Sequence, residues 1–154
     1  GDRFRRGLYT YWKRTTPYPS MIAFDAGSRE VCQVRRIHTN TPLQALVTLN
    51  DPVYLEAAAA LAGRMIKDGS DSRSRAERGL RLALIRPVTA AETAVVAEAY
   101  EAAREEFQGS PASAAEFLQQ ARSSPPPGGD AVEQAAWTVA ANVILNLDEL
   151  ITRN

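Results

Sequence analysis

Polar and charged side chains are concentrated in residues 25–52, DAGSREVCQVRRIHTNTPLQALVTLNDP. This stretch combines carboxylates, guanidinium groups, side-chain amides, one thiol and one imidazole. Guanidinium groups match the geometry of carboxylate and sulfate ligands, so one hypothesis is a binding site for acidic or sulfated polysaccharide. The candidate binding residues are Trp12, Lys13, Arg14, Asp25, Arg29, Glu30, Arg35 and Arg36.

The same side chains allow two other interpretations. An irregular loop needs hydrogen-bond partners for its backbone, and charged side chains often supply them; the cluster could therefore be an ion-pair network that fixes the loop to neighbouring helices. Alternatively, Asp25 and Glu30 could contribute the paired carboxylates of a hydrolytic site that other domains complete. Both carboxylates lie among arginines, which would hold them ionised and unfit as general acids. We therefore prefer the structural interpretation.

The sequence shows no motif for a metal, a cofactor or a covalent nucleophile. It has no Gly-rich phosphate loop, no His-Glu-x-x-His, no paired cysteines and no Cys-x-x-Cys-His haem attachment. Cys32 and His38 could form a nucleophile–base pair, but nothing near them resembles an oxyanion site. A lone cysteine is usually a small buried hydrophobe, and His38 is expected at the surface or at a cap. We expect no catalytic residue, no metal and no cofactor in this domain.

The 18 basic and 18 acidic residues are unevenly distributed along the 154-residue chain. Residues 1–40 carry eight basic and three acidic side chains, a net charge of +5, and residues 41–154 carry ten and fifteen, a net charge of −5. This predicts that the two parts face each other, with a basic surface for an anionic partner as the alternative. No apolar run reaches the length of a membrane span and no signal-peptide pattern occurs, so we expect no direct membrane insertion. Because the chain begins at Gly1 without an initiator Met, we expect it to be part of a larger multidomain protein.

The region before residue 41 offers few regular elements to position the polar cluster. Apolar residues recur at helical spacing in residues 1–16, which predicts an amphipathic helix. Pro17 and Pro19 should stop that helix and impose an extended path. Residues 20–40 show no clean period, which predicts an irregular but ordered loop with room for one short helix.

Helix signals dominate the rest of the chain. N-cap residues stand directly before proline at positions 41–42 and 51–52, and residues 89–92 have the pattern of a capping box. Residues 123–130, SSPPPGGD, predict a flexible connector. The predicted helices span 42–49, 52–68, 73–85, 90–108, 111–122 and 131–152.

These elements predict an all-α fold, with a single domain over residues 1–154. In it, an irregular segment, residues 1–40, packs against a bundle of about six helices. Residues 41–122 supply most of these helices, and residues 131–152 form a long last helix. Four arginines lie on helix 73–85, but acidic residues interleave with them and no aromatic platform accompanies them, so we expect no nucleic-acid partner.

Several motifs carry a family resemblance. They are Tyr9-x-x-Trp12-Lys13-Arg14, Phe24-Asp25, Arg29-Glu30, Arg35-Arg36, Thr39 to Leu46, Leu49 to Pro52 and Asn146 to Glu149. Through them, residues 8–52 and 136–154 resemble the C-terminal domain of large planctomycete surface proteins, a domain of unknown function. Between residues 70 and 130 the likeness is limited to a helical spacer.

The resemblance implies a setting rather than a reaction. Such proteins are large and exported, with a cytochrome-c-like domain upstream, and their setting suggests polysaccharide processing at the cell surface or in the periplasm. The expected partners are the upstream domains of the same protein, with anionic polysaccharide as a second candidate. The signature also suggests a folding nucleus in which Asn146 and Asp148 meet the arginines. The predicted structural polar residues are Asn40, Thr41, Gln44, Asn50, Asp51, Asn146 and Asp148.

Overall fold

A computed structural model describes residues 7–13, 15–27, 32, 34, 39–125 and 128–152. Within these ranges the chain is all-α and has no β-strand, and six of its α-helices have nine or more residues, as predicted. A 3₁₀ turn at Gly7–Tyr9 precedes them. The α-helices are α1 (Pro19–Ala23), α2 (Pro42–Asn50), α3 (Pro52–Asp68), α4 (Ser72–Leu84), α5 (Ala90–Gly109), α6 (Pro111–Gln120), α7 (Ala131–Leu145) and α8 (Asp148–Ile151).

Side-chain caps define five helix starts. The side-chain oxygens of Thr41, Asp51, Asp71, Thr89 and Asp130 each accept a hydrogen bond from a backbone N–H in the first turn of the helix that follows. Such a cap typically stabilises a helix by about 1 kcal/mol. The starts of α2, α3, α5 and α7 therefore agree with the predicted positions.

Helix α7 lies at the centre of the core. It packs against α3, α5 and α6, and its Trp137 is fully buried. The indole stacks on the ring of Tyr100 in α5, with centroids 4.0 Å apart and planes at 14°. Gly79 lets α4 approach closely, since a Cβ atom there would lie 2.7 Å from Met65 Cε and 2.9 Å from Ile144 Cδ1.

The described part of the N-terminal segment packs against the bundle, as predicted. The ring of Phe24 lies 6.1 Å from that of Tyr54 in α3, centroid to centroid. The 3₁₀ turn lies on α1, because a Cβ atom on Gly7 would be 2.9 Å from Met21 Cε. These contacts join the 3₁₀ turn, α1 and α3.

Two predictions for residues 1–40 are wrong. In the described part of residues 1–16, the only helix is the 3₁₀ turn at Gly7–Tyr9, and its glycine is a weak helix former. Pro19 does not impose an extended path either. It begins α1, because proline at the first helical position has a suitable φ and needs no N–H partner.

The prediction of one long last helix is also wrong. Helix α7 ends at Leu145, and the backbone becomes extended at Leu147 (φ −64°, ψ 137°) before α8 begins. The break occurs where the side chain of Asn146 turns towards α2 and Leu147 packs against the core. Tertiary contacts thus outweigh local helix propensity at these two residues.

Candidate functional site

Asp25 connects the end of α1 to the start of α2. It has a left-handed backbone conformation (φ 56°), which aspartate tolerates better than most residues. Its Oδ2 accepts hydrogen bonds from Thr39 N at 2.8 Å, Thr39 Oγ1 at 2.7 Å and Gln44 Nε2 at 3.4 Å. The short turn after α1 therefore places one carboxylate oxygen against three donors.

Gln44 continues this network into α2. Its side chain is only 1% exposed. Gln44 Oε1 accepts from Thr41 N at 3.0 Å, and Gln44 Nε2 donates to Thr39 Oγ1 at 3.2 Å as well as to Asp25. Both ends of the buried amide are satisfied, which a polar group must achieve to be buried without a large cost.

One turn later, α2 meets the C-terminal end of α7. Thr48 is buried, and its Oγ1 donates to Asn146 Oδ1 at 2.5 Å. Asn142 Nδ2 donates to the carbonyl oxygen of Leu49 at 3.2 Å. Polar contacts therefore hold both buried side chains of α2. We call the set that forms them the polar seam: Asp25, Thr39, Gln44, Thr48, Asn142 and Asn146.

Helix α8 is held by a second, more exposed set of polar contacts. Asn40 Nδ2 donates to Asp148 Oδ1 at 2.6 Å. On the other side, Arg86 donates to Glu149 through Nε (2.8 Å) and Nη2 (2.7 Å), and to Glu92 through Nη2 (2.6 Å). We call Arg86, Glu92 and Glu149 the exposed clasp. The hydrogen bonds from Arg86 lower the pKa of Glu92 to about 2, with further help from Thr89, and they also lower the pKa of Glu149.

The outer side of α2 is apolar and exposed. Leu43, Leu46 and Leu49 are 57%, 58% and 40% exposed. A groove of about 390 Å³ runs between α1 and α2. Its lining residues are Pro19, Ser20, Ala23, Leu43, Leu46, Val47, Asn50 and Asp51.

Helix α2 is thus inverted relative to an ordinary surface helix, which turns apolar residues inward and polar residues outward. Gln44 and Thr48, four positions apart, share its buried face, and the leucines share the opposite face. We call the exposed residues Ile22, Leu43, Leu46 and Leu49 and the groove beside them the apolar face. The polar seam lies directly beneath it and sets the orientation of α2.

Many predicted site residues lie outside the described residues: Arg14, Arg29, Glu30, Arg35, Arg36 and also His38. The hypothesis of polysaccharide binding depends mainly on those arginines and stays a prediction, as does their contact with Asn146 and Asp148. Of the eight basic side chains in residues 1–40, only Lys13 is described, so the predicted pairing of the two oppositely charged parts stays a prediction too.

The other predicted residues fall at separate places. Trp12 is half-buried and Lys13 is exposed. Asp51 caps α3 by accepting from Val53 N at 2.8 Å. Asn50 donates to the carbonyl oxygen of Leu46 within α2 and does not reach the polar seam. The usual expectation that a lone cysteine is buried is wrong for Cys32, which is exposed.

The sequence reasoning missed Thr39, Thr48 and Asn142. A usable signal was present for Thr48, because Gln44 and Thr48 are four residues apart and the leucines at 43, 46 and 49 lie opposite them on a helical wheel. The signal for Asn142 was less specific: it follows Gln134 and Thr138 at four-residue intervals among the buried positions of α7, but this spacing does not indicate which group it contacts. Its hydrogen-bond acceptor, the carbonyl oxygen of Leu49, is 93 residues away in the sequence.

The described residues contain neither a metal-binding cluster nor a membrane-spanning helix. No cluster of three or more His, Cys, Asp or Glu side chains among them is placed to hold a metal ion. No helix in those ranges is both long enough and apolar enough to cross a membrane.

The fold and the polar seam define a small all-α domain with an inverted surface helix. Comparison with family profiles then identifies it: residues 1–100 match the family described as "PSD1: Protein of unknown function (DUF1553)", and the chain belongs to that family. The match contains α1 to α4 and the first half of α5, and therefore most of the polar seam; Asn142, Asn146 and α8 lie beyond it. No curated protein and no solved structure matches the chain.

Proposed function

We propose that this domain is a non-catalytic structural and interaction module whose apolar face binds a partner. The observation that carries the proposal is the orientation of α2, which buries Gln44 and Thr48 and exposes three leucines. Exposed contiguous apolar surface marks interaction sites in soluble proteins.

The inverted orientation of α2 leaves leucine side chains in contact with water, which is unfavourable for the chain alone. Full burial of a leucine side chain contributes roughly 1.5–3 kcal/mol, and Leu43, Leu46 and Leu49 each forgo part of it because they are 40–58% exposed. The polar seam compensates on the inner side by satisfying Gln44 and Thr48. A partner that covered the leucines would remove their exposed apolar area from water, and this burial would favour binding to the apolar face.

The wider setting in this proposal is a large exported protein at the cell surface or in the periplasm. Its support is the motif resemblance in residues 8–52, a stretch that lies inside the part of the chain matched by the family. In that setting the domain would act through contact with other folded surfaces rather than through a reaction of its own.

Exchange of residue types between the two faces of α2 tests the proposal. Gln44→Leu should lower the free energy of unfolding by about 1–3 kcal/mol, because it leaves the donors and acceptors of the polar seam unpaired. Leu46→Gln should change it by less than about 0.5 kcal/mol, because the side chain is largely in water. Urea unfolding measures both.

The same variants should differ in the binding of the dye 8-anilinonaphthalene sulfonate, measured at low protein concentration. Leu46→Gln should reduce the fluorescence of the bound dye, because the dye binds exposed apolar surface. Val95→Gln is the control, since Val95 is an exposed apolar residue on α5, away from the apolar face. The proposal fails if Leu46→Gln strongly destabilises the fold or leaves dye binding unchanged.

A further inference from the structure

We propose that the occupant of the apolar face is a second copy of the same chain, with the two α2 helices antiparallel across a two-fold axis. This inference rests on the proposed function, because it takes the apolar face to be an interface. It goes further in naming the partner and the geometry of the contact.

The leucine spacing on α2 is self-complementary. Leu43, Leu46 and Leu49 recur every three residues along one face of a nine-residue helix, and Leu46 is at its centre. If a two-fold axis passes beside Leu46, the two Leu46 side chains meet and Leu43 of each copy meets Leu49 of the other. A two-fold interface requires this match of one surface with itself.

The charges of α2 also fit a second copy. None of its nine residues, PLQALVTLN, is charged, so two such faces meet without like-charge repulsion. A partner with a charged surface would find no counter-charge along this helix.

The ends of α2 favour the antiparallel arrangement. Its first turn contains no acidic residue, and Asp51 follows its last residue. Because the N-terminal end of a helix has partial positive charge, an antiparallel pair brings Asp51 of each copy towards the positive end of the other α2. A parallel pair would instead bring like ends together.

The groove beside the leucines gives the second copy a place to insert side chains. Pro19 and Ala23 of α1 form one wall, and Leu43, Leu46 and Val47 of α2 form the other. Ile22 extends the exposed apolar surface along α1. The contact therefore extends beyond the two α2 helices to both sides of the axis.

Sedimentation velocity of the whole chain, from about 1 µM to about 500 µM, tests the inference. We expect a monomer–dimer equilibrium with a dissociation constant on the order of 10 µM, as suits an interface at the small end of the size range. Leu46→Glu should weaken association by about a hundredfold or more, because it places two like charges against each other at the axis. Leu46→Lys should have the same effect.

A mixture of the two variants gives the most specific result. If residue 46 of one copy meets residue 46 of the other, Leu46→Glu and Leu46→Lys should be monomeric alone and dimeric together. Val95→Glu, which adds a carboxylate on α5, should leave association unchanged. The double variant Leu43→Glu/Leu49→Lys supplies an independent test, since it should still dimerise while Leu43→Glu/Leu49→Glu should not.

Two outcomes would overturn the inference: a chain that stays monomeric over the whole concentration range, or a dimer that Leu46→Glu does not weaken. Circular dichroism first confirms that each variant is folded, and the double variants replace any Leu46 variant that is not. If the parent chain is monomeric but Leu46→Gln still removes dye binding, the apolar face remains an interface and only the second copy is excluded as its occupant. If dye binding is also unchanged, the proposed function fails as well.

Discussion

Helices α2 and α7 touch each other, yet their buried faces differ in kind. Helix α7 buries nine of its fifteen residues, and most of those nine are apolar. Helix α2 buries two of its nine, and both are polar. The difference shows that the number of apolar residues in a helix does not decide which face turns inward. In α2 that choice follows from which side chains find hydrogen-bond partners.

The packing of the two helices is also stabilised by different interactions. The α7 core is stabilised by the removal of apolar surface from water, and the polar seam by directional contacts that tolerate little displacement. Variants that shorten a buried apolar side chain should therefore act mainly through the α7 core, and variants that remove a hydrogen-bonding group of the polar seam should act mainly through the placement of α2. The predictions that follow test this division.

The largest effect is expected at Trp137. Trp137→Ala should lower the free energy of unfolding by about 3–5 kcal/mol, because it removes a fully buried side chain and the stack on Tyr100 and leaves a cavity. Urea or thermal unfolding measures the loss. Leu46→Ala is the matched truncation on α2 and should cost less than about 0.5 kcal/mol. Equal losses at both positions would contradict the division between the two helices.

Most of the helical fold could be predicted from the sequence because its signals are local. Thr41, Asp51, Thr89 and Asp130 stand directly before their helices and bond to backbone N–H groups two or three residues later. A contact of such short range depends only on neighbouring residues. The fold class and the predicted starts of these four helices followed from such contacts.

The inverted orientation of α2 and the end of α7 could not be predicted in the same way. Thr48 and Asn146 are 98 residues apart in sequence, and Leu49 and Asn142 are 93 apart. No local pattern brings them together, and helix propensity alone continues α7 through Asn146. The predicted polar residues Gln44 and Asn146 lie in the polar seam, but their partners depend on how α2 and α7 meet.

A smaller but still clear effect is expected at Asp25. Asp25→Ala should lower the free energy of unfolding by about 2–3 kcal/mol, because it removes the acceptor of three hydrogen bonds and places alanine at positive φ. Thermal unfolding measures the change.

Two matched variants separate these causes. Asp25→Gly also removes the acceptor but accommodates positive φ, so it should cost less than Asp25→Ala by about 1 kcal/mol. Asp25→Asn keeps one oxygen and tolerates the same backbone conformation, and it should cost the least of the three. If all three variants were as stable as the parent, Asp25 would not support the orientation of α2.

The smallest effect is expected at the exposed clasp, and it should depend on pH. The pKa of Glu92 falls from an ordinary value of 4.5 to about 2 in the folded chain. Since the lowered pKa belongs to the folded state, the stabilisation is present above pH 4.5 and is lost as the pH falls from 4.5 towards 2. Melting temperatures over this range should decline less steeply in Glu92→Gln than in the parent chain, whereas Glu98→Gln, on the exposed side of α5, should follow the parent.

Salt distinguishes the exposed clasp from the polar seam. At about 1 M salt the Debye length is only about 3 Å, so exposed ion pairs are screened while buried hydrogen bonds are not. The difference in acid slope between the parent and Glu92→Gln should therefore shrink in high salt, and the cost of Gln44→Leu should persist. If high salt reduced both the acid-slope difference of Glu92→Gln and the destabilisation by Gln44→Leu, the inner face of α2 would be open to solvent. Buried hydrogen bonds would then not be what holds this helix with its leucines outward.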